Sequence, residues 1–426
     1  YGDFDEENIV RRIGCLSDIH NSSNIPNALR ILMNMDMDTL VVSGDITDGV
    51  RYYNTESYEI DAVKDKLLNN LPDGFPIVLT LGNHDTSNAS HTALFYDKLG
   101  PKIYGIFDDQ ELVREKGLGH AKIGDYHFIT LECDYTTVAN EGLTKDAEVY
   151  LANKMKEITE SPDYHNEYIF VVTHLIPYGT LKDASNSTAI NEILKFYPQA
   201  VVVAGHTHDT ALNELNINQN RFTTFNPGGL QYTTYDGKYL NTNGYGLYYG
   251  DGFNSYDLPS GTLVEIDNKG NMRINRLDLR MDGFMMRDPW IVGAPKNNNS
   301  HLCSYPKERG EYPYNEAPYF NDPDDVNPYV SVQNVSQLYN ATVTIDSAYD
   351  DNDYIHHYKV KVATAGGTSL AEGNYLTEYF IYADTNLMPD RFTFKFEGLT
   401  KAPAYMEITP YDSFFVAGEK ITVQFN

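Results

Sequence analysis

Short apolar runs alternate with segments of helical periodicity between residue 13 and about residue 205. The runs are rich in β-branched residues, and such short runs predict the buried strands of a layered α/β domain. The predicted strands are Ile13–Ile19, Thr39–Ile46, Pro76–Leu81, Tyr168–Thr173 and Ala200–Ala204. The segments between them predict helices, which are Pro26–Met35, Tyr58–Leu71, Lys145–Ile158 and Ala189–Phe196.

Two further segments have the pattern of β-hairpins. Ala121–Leu131 carries a Gly-Asp pair between two apolar arms, which is a hairpin signal. A second hairpin is predicted around Asp267–Gly270, between the apolar runs Thr262–Ile266 and Met272–Leu279.

The composition changes near residue 295. Six prolines and few aliphatic residues lie between residues 295 and 328, which predicts a connector between domains. Residues 329–426 then alternate short apolar runs with turns and show no clear helix, which is typical of a β-sandwich. We therefore predict an α/β domain over 1–294, a connector over 295–328 and a small all-β sandwich over 329–426. The strands predicted in the sandwich are Ala341–Ser347, Tyr354–Thr364, Thr377–Ala383, Arg391–Gly398, Ala404–Tyr411 and Lys420–Phe425.

The chain is strongly acidic, with 32 Lys and Arg, 60 Asp and Glu, and a formal net charge of −28. Binding to duplex nucleic acid draws its affinity from Lys and Arg at the phosphates, so this charge argues against duplex nucleic acid as a partner. It also disfavours binding to an anionic membrane surface. No apolar stretch approaches the roughly 20 residues that a membrane-spanning helix needs. The 41% of hydrophobic residues nevertheless predicts a folded chain.

Each of the five predicted strands of the α/β domain ends in polar residues. The clusters are Asp18-Ile19-His20, Gly44-Asp45-Ile46-Thr47-Asp48, Gly82-Asn83-His84-Asp85, Thr173-His174 and Gly205-His206-Thr207-His208. Because ligands bind at the carboxyl ends of strands in α/β sheets, we expect these clusters to converge on one crevice. Carboxylate, imidazole and amide oxygen suit divalent ions such as Zn, Mn or Fe. One Asp-x-His is a weak signal, but five clusters at successive strand ends predict a metal site.

This series of clusters resembles the signature of the calcineurin-like metallophosphoesterase superfamily, which reads D-x-H, G-D-x-x-D, G-N-H-[DE], H and G-H-x-H. The resemblance covers about residues 10 to 285. It implies a four-layer α/β/β/α sandwich that holds two divalent metal ions, whose identity (Mn, Fe or Zn) stays open. The spacing of the blocks is most similar to the bacterial cyclic-nucleotide-phosphodiesterase-like branch.

The resemblance also implies a role for each site residue. The ligands of the first metal would be Asp18, His20, Asp45 and His208. Those of the second metal would be Asp45, Asn83, His174 and His206, so that Asp45 bridges both ions. A metal-bridging hydroxide would attack the phosphorus of a phosphodiester or phosphomonoester, and His84 would protonate the leaving oxygen. Asp48 would orient His84 through its carboxylate, and its alternative role is a turn or helix cap.

At two positions the sequence differs from particular branches of this superfamily, which narrows the choice of branch. Gly49 stands where protein Ser/Thr phosphatases have an Arg that clamps phosphate, and Asp48 stands where purple acid phosphatases have a Tyr ligand. Two Tyr-rich stretches could stack a nucleobase or sugar, although Tyr is also common in sheets and surface loops. Their tyrosines are Tyr52, Tyr53 and Tyr58, and then Tyr232, Tyr235, Tyr239, Tyr245, Tyr248 and Tyr249.

The C-terminal residues carry a second resemblance, to the corner between two strands of fibronectin type III modules, where a Tyr hydroxyl bonds back to the backbone. The residues concerned are Gly398-Leu399-Thr400, Pro403, Tyr405, Ile408 and Tyr411. An immunoglobulin-like sandwich of another topology is the alternative. Because such modules dock or bind, contact with a cell surface or a glycan is one expectation. Bacterial hydrolases that carry such modules tend to be secreted or surface enzymes, so we expect a secreted or cell-envelope location.

Two functional hypotheses follow. The first is a two-metal phosphoesterase acting on a small phosphorylated substrate. The second is a surface binding or adhesion protein with a structural metal site. If the second hypothesis were correct, we would expect His84 or one ligand of the second metal to be replaced by another residue type. The sequence retains His84 and all of these ligands.

Overall fold

A computed structural model describes most of the chain and divides it into two compact units. The first unit is Tyr1–Tyr239 with Tyr256–Lys307, and the second is Leu240–Ser255 with Glu308–Asn426. The described residues are 4–49, 57–134, 142–181, 188–235, 238–239, 259–285, 287–295, 302, 304–311, 313–351, 354–377 and 389–425.

The first unit contains both strands and helices. Its strands in chain order are β1 (Ile9–Leu16), β2 (Thr39–Ser43), β3 (Ile77–Thr80), β4 (Gly119–Ile123), β5 (Tyr126–Leu131), β6 (Cys133–Asp134), β7 (Gly142–Leu143), β8 (Ile169–Thr173), β9 (Ala200–Val203), β10 (Ile217–Gln219), β11 (Thr223–Phe225), β12 (Thr234–Tyr235), β13 (Lys238–Tyr239), β14 (Ser260–Asp267), β15 (Met272–Asp278), β16 (Gly283–Phe284) and β17 (Trp290–Val292). Its helices are α1 (Ile25–Asn34), α2 (Ser57–Asn70), α3 (Ala89–Leu99), α4 (Pro101–Tyr104), α5 (Gln110–Lys116), α6 (Lys145–Thr159) and α7 (Ala189–Leu194). A short 3-10 helix covers Glu214–Asn216, and a second one, Lys307–Gly310, begins at the last residue of this unit and continues into the second. The five predicted strands, the four predicted helices and both hairpins are confirmed, with shifts of a few residues at their ends.

The first sheet has the strand order β16-β15-β14-β1-β2-β3, and β17 also pairs with β15. Strands β1, β2 and β3 are parallel, with Cys15 opposite Val41 and Val41 opposite Val78. Strand β14 is antiparallel to β1 and extends the sheet on the other side. Because β1, β2 and β3 run in the same direction, the loops that carry the first three polar clusters leave the sheet at one edge.

The second sheet has the order β10-β11-β9-β8-β5-β4. Strands β5, β8, β9 and β11 are parallel to their neighbours in this series. His174 directly follows the last residue of β8. The fifth polar cluster begins at Gly205, two residues after the end of β9. The fourth and fifth polar clusters therefore leave this sheet at one edge as well.

The side chains of β8 show how the layers are built. Phe170 and Val172 belong to the apolar core that also contains the strands of the first sheet, together with α1 and α2. Ile169 and Val171 point to the opposite face, into a second core formed with α6 and α7. Both faces of this strand are buried, as expected for a parallel sheet covered on both sides. The layer order of helices, sheet, sheet and helices confirms the predicted α/β fold class.

The second unit contains two β-sheets. Its strands are β18 (Tyr329–Val335), β19 (Leu338–Asp346), β20 (Ile355–Ala363), β21 (Ser369–Leu376), β22 (Arg391–Leu399), β23 (Tyr405–Asp412) and β24 (Ile421–Gln424). One sheet has the order β18-β19-β22 and the other has the order β21-β20-β23-β24. Alternate residues of β22, namely Phe392, Phe394 and Phe396, enter a single core with Tyr358 of β20. The prediction of additional all-β structure in the C-terminal part is confirmed.

Two details of the C-terminal prediction differ. Strands β18 and β21 were not predicted, and the predicted strand Thr377–Ala383 lies outside the described residues from 378 onward. Within the described part of this unit, neither the Tyr405 nor the Tyr411 hydroxyl donates a hydrogen bond to the corner, and the Tyr411 ring stacks instead on His357 at 4.5 Å. The predicted domain limits stay a prediction. No helix among the described residues is long and apolar enough to cross a membrane.

Candidate metal centre

The polar clusters adopt an unusual backbone at the ends of their strands. A positive φ brings the side chains into the crevice, and it costs a residue other than glycine roughly 1–2 kcal/mol. Strand β1 accordingly ends at Leu16 and not at Ile19, because the chain turns sharply at Asp18. The site residues with a positive φ are Asp18, His20, Asp45, His206 and His208.

Glycine is the first residue of three of the clusters, and at two of them a carboxylate approaches the glycine closely. A Cβ atom on Gly82 would lie 2.2 Å from Asp45 Oδ1. A Cβ atom on Gly205 would lie 1.8 Å from Ser17 Oγ and 2.8 Å from Asp18 Oδ2. Only glycine fits at these two positions without moving the Asp45 or Asp18 side chain.

Four of the predicted ligands form one buried cluster, which we call cluster A: Asp18, His20, Asp45 and His208. Their ligand atoms all lie within 4.8 Å of one another. The Nε2 atoms of His20 and His208 are 3.4 Å apart. His208 Nε2 lies 3.4 Å from Asp18 Oδ1, and His20 Nε2 lies 3.7 Å from Asp45 Oδ2.

The remaining predicted ligands meet at Asn83, and with Asp45 they form cluster B: Asp45, Asn83, His174 and His206. The Asn83 Oδ1 atom lies 3.0 Å from His174 Nε2 and 2.9 Å from His206 Nδ1. His174 Nε2 also lies 3.2 Å from Asp45 Oδ2. Asp45 therefore contacts histidines of both clusters, and the structure brings all seven predicted metal ligands together.

Backbone carbonyls fix the tautomers of three histidines. A carbonyl oxygen only accepts hydrogen bonds, so the Nδ1 atom that faces it carries the proton, and the inward Nε2 of a neutral ring carries a lone pair. The pairs are His20 Nδ1 with Thr47 O at 3.2 Å, His174 Nδ1 with Ser43 O at 2.8 Å and His208 Nδ1 with Gln231 O at 3.0 Å.

The Nε2 atoms of three histidines lie close to Asp45 Oδ2. It lies 3.2 Å from His174 Nε2, 3.7 Å from His20 Nε2 and 4.0 Å from His84 Nε2. The oxygen is buried and has no hydrogen-bond partner among the residues that the structure describes. A buried carboxylate oxygen without a hydrogen bond is costly unless a cation lies beside it. The donor set therefore fits divalent metal ions.

The electrostatics of the site leave two histidines neutral. Burial lowers the pKa of His20 to about 4, although the carboxylate of Asp45 opposes this shift. Burial, assisted by His174, lowers the pKa of His206 to about 4 as well. Both rings are therefore neutral near pH 7, which is the form that binds metal.

His174 and Asp45 form an ion pair. Burial alone would lower the pKa of His174, but the Asp45 carboxylate outweighs burial and raises that pKa to about 9. Burial would likewise raise the pKa of Asp45, and His174 holds it well below its ordinary value. A cation that binds between them would replace the proton of this pair.

Asp85 holds the loops of the second and third clusters together. Its carboxylate accepts hydrogen bonds from Ile46 N at 2.9 Å, Thr47 N at 2.8 Å and Gly82 N at 2.9 Å. Burial and the nearby Asp45 raise its pKa to about 6. Asp85 therefore stabilises the loop that places Asp45.

The two predicted catalytic residues, His84 and Asp48, are in contact, but through the backbone oxygen of Asp48 and not through its carboxylate. His84 Nδ1 lies 2.7 Å from the backbone oxygen of Asp48, and the His84 backbone N–H donates to Asp45 Oδ1 at 2.9 Å. The Asp48 carboxylate instead accepts a hydrogen bond from the Tyr232 hydroxyl at 3.1 Å and lies 3.5 Å from His20 Nδ1. The His84 side chain is 29% exposed, so it lies on the open side of the clusters.

Sequence reasoning did not identify the residues that support the ligands. The carbonyl of Gln231 and that of Thr47 hold two of the histidines. Lys66 donates to Asn21 O at 2.5 Å and to Asn21 Oδ1 at 2.7 Å, directly after His20. A backbone carbonyl that accepts a hydrogen bond cannot be recognised from the type of its side chain. Lys66 lies on a helix, and its place in the sequence pattern indicates only a position on the exposed face.

Among the predicted aromatic residues, Tyr232 lies at the site, with its ring centroid 5.1 Å from that of His20. The Tyr58 side chain is 61% exposed. The residues or side chains of the other predicted tyrosines lie outside the described residues.

Comparison with known proteins agrees with this geometry. Residues 11–210, a little under half of the chain, match the family described as calcineurin-like phosphoesterase. No curated protein matches the chain significantly.

Solved structures with a similar fold have low sequence identity to this chain. A dimetal phosphatase from Danio rerio is 12% identical, with 66% of this chain and 98% of that chain covered and a TM-score of 0.45. The purple acid phosphatase PPD1 from yellow lupin (Lupinus luteus) seeds is 13% identical, with 69% and 55% covered and a TM-score of 0.43. The assignment rests on the family match, since these TM-scores are low. The chain therefore carries a calcineurin-like phosphoesterase domain over residues 11–210, and it is a metal-dependent phosphoesterase.

Proposed function

We propose that the chain hydrolyses a small phosphodiester or phosphomonoester with two divalent cations, one held by cluster A and one by cluster B. The observation that carries this proposal is the convergence of three imidazole nitrogens within 4.0 Å of Asp45 Oδ2. This oxygen has no hydrogen-bond partner in the described part of the chain. Asp45 is shared by the two clusters, so it would bind both ions.

Bound divalent ions would lower the pKa of a water molecule and neutralise charge on the phosphoryl oxygens. The donors are carboxylate, imidazole and amide oxygen, which Mn, Fe and Zn all accept. His20 and His206 are neutral near pH 7 and are ready to bind.

His84 would donate a proton to the leaving oxygen. In the doubly protonated ring, Nδ1–H donates to the Asp48 carbonyl at 2.7 Å and fixes the orientation of the ring, and Nε2–H would pass its proton to the leaving oxygen and leave the ring neutral. The Nε2 atom lies 4.0 Å from Asp45 Oδ2, next to both clusters but without a place among their ligands. This position suits an acid beside the reacting phosphate.

The second unit supports a further part of the proposal. Its sheets have the strand orders β18-β19-β22 and β21-β20-β23-β24, a three-plus-four arrangement that suits a fibronectin type III-like module. We propose that this module contacts a cell surface or glycan and that the enzyme is secreted or held in the cell envelope. We also propose the bacterial cyclic-nucleotide-phosphodiesterase-like branch, on the spacing of the sequence blocks.

The alternative of a purely binding protein has no observation in its favour, because the chain is a phosphoesterase. The substrate that we propose is small, since a net charge of −28 repels long polyanions such as duplex DNA.

A metal-loaded activity assay tests the proposed function. The full chain is loaded with Mn²⁺, its metal content is measured, and turnover of p-nitrophenyl phosphate and bis-p-nitrophenyl phosphate is followed. We expect turnover of at least one substrate and its loss on chelation. Two bound metals per chain without turnover of either substrate would contradict the proposal.

A further inference from the structure

The segment that follows the fifth cluster returns to the site and contacts it at several points. We call residues 229–232 the return loop. Gly229 forms a β-bridge with Ser17, and Leu230 N donates to Ser17 O at 3.1 Å. Ser17 directly precedes Asp18, the first residue of the sequence cluster Asp18-Ile19-His20. The first residues of the return loop are therefore attached to the backbone beside this cluster.

The last two residues of the return loop contact two different parts of the site. Gln231 O accepts the hydrogen bond of His208 Nδ1 at 3.0 Å. The Tyr232 hydroxyl donates to Asp48 Oδ1 at 3.1 Å. Tyr232 therefore joins the return loop to the second cluster, which carries Asp45.

The position of the Tyr232 ring is fixed from two sides. Its centroid lies 5.1 Å from that of His20, with the rings at 70°, and 6.1 Å from that of His208, with the rings at 48°. Tyr232 also has a φ of 55°, which a bulky residue keeps only where its surroundings hold it. The hydroxyl is thus presented to Asp48 by a fixed ring.

Asp48 has two groups with different partners. Its carboxylate meets Tyr232, while its backbone oxygen meets His84 Nδ1 at 2.7 Å. The Asp48 side chain is 42% exposed, so solvent would compete for the carboxylate if the Tyr232 hydroxyl were absent. Movement of the Asp48 residue would also move the carbonyl that orients His84.

We propose that Tyr232 is a positioning residue for proton donation: its hydroxyl holds Asp48, and Asp48 in turn holds His84 in the orientation that protonates the leaving oxygen. This inference rests on the proposed function, because it gives His84 a task only if the chain hydrolyses phosphoesters. It assigns Tyr232 no contact with the substrate.

The test uses Tyr232→Phe, which removes the hydroxyl and keeps the ring. A proton donor matters most when the leaving group is a poor one. We expect kcat to fall about 10-fold on a phenyl ester, which corresponds to about 1.4 kcal/mol. On the p-nitrophenyl ester of the same class we expect kcat to fall less than about 2-fold. KM is expected to stay unchanged on both esters.

A double variant adds a readout that a general structural defect would not give. His84→Asn should show the same dependence on the leaving group, but a larger one. Adding Tyr232→Phe to His84→Asn should then cause no further loss, because both changes act through one proton donor. Asp48→Ala, which removes the acceptor of the Tyr232 hydroxyl, should resemble Tyr232→Phe.

The matched control is Tyr126→Phe, at the start of β5 and therefore at the amino end of a strand whose carboxyl end faces the site. It should leave both esters unaffected, and metal content and melting temperature should be equal in all variants. An equal loss on both esters, or an additive loss in the double variant, overturns the inference and leaves the proposed function intact. A metal-loaded wild type that is inactive on both esters overturns the proposed function and this inference with it.

Discussion

His20 and His208 face each other across cluster A with their Nε2 atoms 3.4 Å apart and their rings at 22°. Each ring donates its Nδ1 proton to a backbone carbonyl, that of Thr47 or that of Gln231. Two lone pairs therefore point at each other, and no proton lies between them while both rings are neutral. This arrangement is favourable only when a cation takes the position between the two nitrogens.

Metal removal should lower the stability of the enzyme. A ligand that binds only the folded state at 100 times its Kd stabilises that state by about 2.7 kcal/mol, which for a unit of this size corresponds to a melting temperature higher by roughly 4–5 °C. Dialysis against a chelator should therefore lower the melting temperature by this amount, and Mn²⁺ should restore it. An unchanged melting curve, with metal loss verified, would show that the clusters do not bind metal tightly.

Asn83 is the residue that distinguishes cluster B from cluster A. Asn83→Ala removes the oxygen that lies 3.0 Å from His174 Nε2 and 2.9 Å from His206 Nδ1. We expect bound metal to fall from two ions to one per chain and kcat to fall by at least about 100-fold, since loss of one ion removes several kcal/mol of charge stabilisation. Asn83→Asp keeps an oxygen ligand and should retain the second ion. Full activity in Asn83→Ala with only one bound ion per chain would exclude a two-metal mechanism.

Lys66 should affect metal affinity without touching the metal. Its ammonium donates to Asn21 O and to Asn21 Oδ1, next to His20, a proposed metal ligand. Lys66→Met should weaken metal binding about 10-fold, because groups that support a ligand typically have effects of this size. Turnover at saturating metal should be nearly unchanged. The control is Lys64→Met, on the same helix, whose ammonium donates to the carbonyl of Lys98 at 2.9 Å.

Glu132 should make the stability of the fold depend on pH. It is 8% exposed, and burial raises its pKa from 4.5 to about 7 despite the hydrogen bond from Thr92 Oγ1. The folded state therefore holds this proton more tightly than the unfolded state. The stabilisation is complete below pH 4.5 and is lost as the pH rises through about 7, with a total effect of about 3 kcal/mol.

Glu132→Gln should remove this dependence. Urea unfolding at several values between pH 5 and pH 8 should give a free energy of unfolding that falls with pH in the wild type and falls much less in the variant. Glu115→Gln, at an exposed position close by, serves as the control. Parallel pH profiles for wild type and Glu132→Gln would contradict the prediction.

The sequence predicts the central strands and helices of this enzyme well, because these elements follow from the pattern of apolar and polar side chains. The central strands are runs such as Ile169–Thr173, buried on both faces, and their carboxyl ends carry the polar clusters. Helix α3 was not predicted, since its N-terminal turn is polar and begins right after the third cluster. Strand β18 was also missed, because most of its residues are exposed and it lies at the edge of its sheet.

The supporting contacts of the site could not be predicted, because they depend on the backbone. The sequence places Asp48 at the distance from Asp45 that implies a carboxylate acting on His84. In the structure the carbonyl of the same residue takes that contact, and the carboxylate meets Tyr232. A spacing rule in sequence cannot distinguish the two oxygens, since both belong to one residue.

The sharing of Asp45 has a consequence for how the metals bind. Asp45 Oδ2 lies 3.2 Å from a histidine of cluster B and 3.7 Å from a histidine of cluster A. The two proposed ions would therefore compete for, or jointly polarise, a single carboxylate. By thermodynamic linkage each ion then changes the affinity of the other by the same factor. A metal titration of this enzyme should follow a coupled two-site isotherm, and a substitution in one cluster should alter the affinity measured at the other.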